Sequence, residues 1–63
     1  MKETILNQDY KLEVVANMNK YGGSFVKALA EAILRADTIN LMKIENAFEE
    51  YIDQYNPKNW IKG

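Results

Sequence analysis

The stretch "KYGGSFVKALAEAILRAD", Lys20–Asp37, decides how this chain folds. Its alanines and leucines are among the strongest helix formers. Its interior polar residues, Lys27, Glu31 and Arg35, stand four apart and so share one face of a helix over about 25–36. Glu31 followed by Arg35 is the favourable order for a helical ion pair. A helix with one thin polar stripe is expected to be buried on most sides, which makes it the central helix. The Gly-Gly-Ser before it has two readings. As a joint, Gly22 closes a preceding helix in the left-handed conformation, Gly23 turns the chain, and Ser24 caps the next helix with its hydroxyl. As a cradle, Lys20, Gly22, Gly23, Ser24 and Lys27 hold a phosphate or carboxylate on the free amides of the helix start. No Walker or dinucleotide pattern is present and no strand precedes the loop, so the joint is preferred.

Working outward, the residues upstream predict a helix over about 8–21, capped by Asn7 or Asp9. Its apolar residues form two sets, Leu12-Val15-Ala16 and Tyr10-Val14-Met18-Tyr21, and the spacing does not say which faces the core. Downstream, Asp37 or Thr38 caps a helix over about 38–55, with the carboxylate of Asp37 at the positive end of the dipole. Leu41, Ile44, Phe48, Tyr51 and Tyr55 recur at steps of three and four as its core stripe. Pro57 stops this helix, and Trp60 and Ile61 follow in a short tail expected to pack on the helices. The only strand signal is "ETIL", residues 3–6. The expected fold is all-α: a compact three-helix bundle with a short C-terminal tail, forming one domain over 1–63.

Composition narrows the chemistry. A chain of 63 residues buries only about 60% of its unfolded surface and forms at most one small core. There is no cysteine and no histidine. Thiolate and imidazole zinc centres are thereby excluded, as is Ser-His or Cys-His catalysis. No cofactor is implied. The formal net charge is −1, so no global basic field attracts nucleic acid. The composition is 48% hydrophobic and 27% charged, that of an ordinary globular domain. No apolar run reaches signal-peptide or membrane-span length, so a cytoplasmic location is expected.

Gly22, Gly23, Ser24, Phe25, Val26, Ala28, Leu29, Ala30, Ala36, Asp37, Asn40 and Phe48 also carry a resemblance. In this pattern, a Gly-Gly-Ser-Phe-Val core leads into an Ala-Leu-Ala helix and then an Ala-Asp turn with Asn three residues on. The chain resembles, over about its last two-thirds, a group of short proteins from phages, prophages and other bacterial mobile elements. It departs from the group at Tyr21, where a histidine is expected, and at Thr38 and Glu49, where prolines are expected. The resemblance implies a small helical fold, a mobile-element origin and a bacterial host cell. It implies no activity.

Three surfaces remain as candidate sites. Glu45, Glu49 and Asp53 repeat at four with Glu50 beside them: either a solvated outer face or a docking surface for a basic partner. Leu34, Ile39 and Met42 lie off the core stripes near the turn between the second and third helices, as a candidate partner or self-association patch. A helix-turn-helix reading fails on charge, because the would-be recognition helix carries Lys43 as its one base against four acids. Trp60 between Lys58 and Lys62 has the makings of a base-stacking site, although packing on the core is preferred. No acid falls on an apolar face where its pKa would rise, which argues against carboxylate catalysis. The expected function is a non-enzymatic protein-interaction module, with a homodimer as one form. The alternative is anion or nucleic-acid binding at the Gly-Gly-Ser helix start.

Overall fold

The structure, a computed structural model, describes residues 3–59. Asn7 starts the first helix, α1, Gln8–Tyr21, by accepting the Tyr10 amide on Oδ1 at 3.0 Å. Asp9 in its first turn and Lys20 in its last both suit the helix dipole. Helix α2 spans Ser24–Arg35 and α3 spans Thr38–Ala47. Asp37 caps α3 by accepting the Asn40 amide at 2.9 Å. Where the sequence predicts one long third helix, the chain forms two. Phe48 leaves helical geometry at φ −120°, ψ 33°, and α4 begins anew at Glu49–Gln54. A 3₁₀ turn, Pro57–Asn59, follows. Four α-helices therefore stand where three were expected, and no strand forms at "ETIL" or elsewhere among the described residues. The tail with Trp60, Ile61 and Lys62 lies outside the described residues.

The fold is all-helical and compact. Its radius of gyration is 10.7 Å, against about 11 Å expected for this length. Helix α1 settles its own ambiguity by burying Tyr10, Val14 and Met18 from one set and Val15 from the other, leaving Leu12 and Tyr21 exposed. Its main packing partner is α2, and it also meets the 3₁₀ turn. Asn17 ties it to the end of α4 by donating to the Tyr55 carbonyl at 3.1 Å. Helix α2 buries Val26, Leu29, Ala30 and Ile33 on one face. It is not buried on most sides, because Phe25, Ala28, Ala32 and Leu34 remain exposed. Its extensive partner is α1, and its Phe25 ring also meets Phe48 and Tyr51.

On either side of the break at Phe48, the side chains that reach the core differ in part from the predicted stripe. Leu41 is buried, and Ile44 and Phe48 are half-buried, as the stripe predicts. Beyond the break Ile52 is buried and Tyr51 is 38% exposed. Tyr55 is buried as the stripe predicts, and Ile52, four residues after Phe48, takes the core position expected of Tyr51. Tyr51 instead joins Phe25 and Phe48 in a three-ring cluster, with centroids 5.4–6.2 Å apart and planes tilted by 56–57°. Tilted contact is the arrangement favoured by ring quadrupoles.

The glycines do serve as a joint, for a different reason from the one the sequence suggests. Gly22 is extended at φ −86°, ψ 160°, and no described residue has positive φ. Its amide still closes the last turn of α1, donating to Met18 O at 2.9 Å. What glycine supplies here is space. A Cβ would overlap Cγ1 of Val26 and lie 2.6 Å from Met18 O and 2.7 Å from Val26 Cβ. Helix α2 starts one residue earlier than expected, because the Gly23 carbonyl accepts the Lys27 amide at 2.9 Å. Gly23 is therefore the N-cap, and Ser24 is the first helical residue and contributes no capping bond.

A candidate docking groove

The segment before α1 creates the site, and Glu45 holds it there. Glu45 Oε1 accepts from the Thr4 hydroxyl at 2.5 Å, and Oε2 accepts from the Ile5 amide at 2.9 Å. These bonds set Ile5 fully into the core and leave the next residue, Leu6, 45% exposed. Hydrogen bonds to a carboxylate are shorter and stronger than neutral ones, so one side chain of α3 fixes a segment that has no regular structure of its own. Glu45 is thus half-buried and structurally committed, not part of a solvated outer face.

Between this segment and α3–α4 lies an open groove of about 620 Å³. Its apolar lining is Leu6, Met42 and Ile52, with Ile52 at the bottom because it is 2% exposed. Its charged lining is Glu3, Glu45, Glu49 and Asp53, against Lys43. On the other side of the same segment a second depression of about 370 Å³ is lined by Asp9 and Glu13, and shares Glu3 and Thr4 with the first. Glu3, Asp9, Glu13, Glu45, Glu49 and Asp53 are six of the chain's nine acids. The two depressions therefore gather most of the chain's acids, although its net charge is only −1. Acids lining a concave surface reinforce one another's field, since low-dielectric walls focus it.

The structure brings some of the sequence candidates together and separates others. Glu45, Glu49 and Asp53 meet in the groove, and Glu50 is exposed outside its lining. Leu34, Ile39 and Met42 are 46%, 66% and 54% exposed. Of these Met42 lines the groove and the other two do not. Sequence reasoning missed Glu3, Thr4 and Leu6. The one signal that could have found them is an apolar pair, Ile5-Leu6, directly before the Asn7 cap.

At the alternative anion site, no side chain caps the start of α2, and Gly23 is open on its Cβ side. Lys20 lies over its neighbour's ring, Nζ 5.4 Å from the Tyr21 centroid. Ser24 and Lys27 are exposed. Among the described residues no group of three or more acidic side chains is placed to hold a metal ion, and no helix is long and apolar enough to cross a membrane. Set against protein-family models, curated proteins and solved structures, the chain matches none.

Proposed function

We propose that this chain is a non-enzymatic protein-interaction module of phage or mobile-element origin, acting in the bacterial cytoplasm, and that its groove receives a basic segment of a partner protein. The observation that carries the reading is the groove's composition. Leu6, Met42 and Ile52 offer an apolar seat for one or two side chains, and Glu3, Glu49 and Asp53 surround it with negative charge. An amphipathic segment with apolar anchors and flanking lysines or arginines matches both parts. Charge steers such a partner and selects it, while the apolar seat retains it. Support for a non-enzymatic role comes from burial: among the described residues no charged side chain is buried, so none has the desolvated setting in which catalytic groups are tuned.

The experiment is fluorescence anisotropy with a labelled helical peptide carrying leucines on one face and lysines on the other. The wild-type chain should bind it in a salt-sensitive way, and the double variant Glu49→Lys, Asp53→Lys should lose binding while keeping its helical circular dichroism. An acidic peptide of the same apolar pattern should not bind. Equal binding of the basic and acidic peptides would refute the reading.

A further inference from the structure

The chain has no cysteine, which leaves methionine as its readily oxidised sulfur. Two methionines lie among the described residues, in opposite settings. Met18, on α1, is 0% exposed and packed into the core. Met42, on α3, is 54% exposed and lines the groove with Leu6 and Ile52. Since Ile52 is 2% exposed, Leu6 and Met42 supply nearly all the apolar surface that an occupant meets. A methionine there suits docking, because its flexible, polarisable side chain adapts to the shape set against it.

We propose that Met42 is an oxidation site that loosens the groove's hold on its partner. The inference rests on the groove being a docking site for a basic amphipathic segment. The oxidant is a hydroperoxide. The thioether sulfur of Met42 attacks the terminal peroxide oxygen, the O–O bond breaks, and an S–O bond forms. Sulfur gives up two electrons. The remaining oxygen takes the proton of the transferred one and leaves as water or an alcohol. The product is a sulfoxide, which is polar and chiral. An apolar anchor seated on it would bury a strong acceptor without a donor, and that costs free energy. The core takes no part, because Met18 is shielded from the reagent. One accessible sulfur in the seat and one protected sulfur in the core let oxidation act on docking while the fold stays intact.

The test treats the full chain with hydrogen peroxide, removes the reagent with catalase, and titrates the labelled basic peptide by fluorescence anisotropy. Mass spectrometry of a tryptic digest should find one added oxygen on the fragment with Met42 and none on the fragment with Met18. Helical circular dichroism should be unchanged. Affinity should fall roughly fivefold to tenfold, the scale of losing part of one buried apolar side chain. Reduction by methionine sulfoxide reductases and a thiol should restore it. Each protein is compared with itself before treatment. Met42→Leu has no sulfur at this position, so peroxide should not change its affinity, whatever the starting value. Met1 is present in both proteins, so any effect of its oxidation cancels. Oxidation of Met18 as fast as Met42, or unchanged affinity once Met42 is oxidised, overturns the inference and leaves the docking reading standing. An equal loss in Met42→Leu overturns it too. If the untreated chain fails to bind the peptide, the docking reading fails and this inference falls with it.

Discussion

Glu45 on α3 accepts the backbone amide of Ile5, forty residues earlier in the chain, at 2.9 Å. That bond joins the end of the chain that lacks regular structure to the middle of the fold. It accounts for two features together: a core that includes a residue from outside every helix, and a groove whose near wall is the pinned segment.

Removing this clamp should therefore be costly at a position that reads as surface. Glu45→Ala leaves a backbone amide and a hydroxyl without their acceptor, and should cost roughly 1.5–3 kcal/mol, the range for hydrogen bonds to charged groups. Glu45→Gln keeps one acceptor oxygen and should cost about half as much. Urea unfolding measures both, and hydrogen exchange should show the Ile5 amide losing its protection. An unchanged midpoint for Glu45→Ala would mean that the segment is held by Ile5 burial alone.

The two glycines should respond differently to the same substitution. Gly22→Ala places a methyl group against Val26 and Met18 O and should cost roughly 1–3 kcal/mol, as overpacking does. Gly23→Ala meets no atom within 4 Å and stays in extended geometry, so its effect should be within about 0.5 kcal/mol of zero. Thermal melts of the two variants suffice. Equal costs would show that backbone conformation, not the approach of Val26, explains the pair.

Two neighbours in α4, Ile52 and Tyr51, should differ sharply in what truncation costs, because one is 2% and the other 38% exposed. Ile52→Ala should cost about 2–5 kcal/mol as a buried aliphatic truncation. Tyr51→Ala should cost roughly 0.5–1.5 kcal/mol, the worth of its ring contacts. Equal costs, or a larger cost for Tyr51→Ala, would contradict the burial of Ile52 and the exposure of Tyr51.

How far the fold was legible follows from these residues. Helix starts at Asn7 and Asp37 were readable because a side-chain cap is a local interaction between residues a few positions apart. The core faces of α3 were readable up to Phe48 for the same reason. The break itself carries no glycine or proline, so nothing local announces it. Gly22 misled because a glycine after a helix most often signals a left-handed cap, whereas its need here arises from Val26 on another helix. Glu45 and Ile5 were illegible because their relationship spans forty residues, and no spacing rule reaches that far. For the site, acids at steps of four showed that charge gathers along α3 and α4. That Glu3 and Leu6 join them depends on the clamp, and so was not visible.

The most direct measurement of the central claim is an NMR titration of the isotope-labelled chain with the basic amphipathic peptide, at low and at high salt. Saturable shifts are expected to concentrate at the amides of Leu6, Met42, Lys43, Asn46 and Asp53, and to weaken with salt because part of the attraction is between exposed charges. No saturable shift is expected at Gly23, Ser24 and Phe25 when inorganic phosphate replaces the peptide. Peptide shifts that miss the groove, or phosphate shifts that saturate at the start of α2, would contradict that claim.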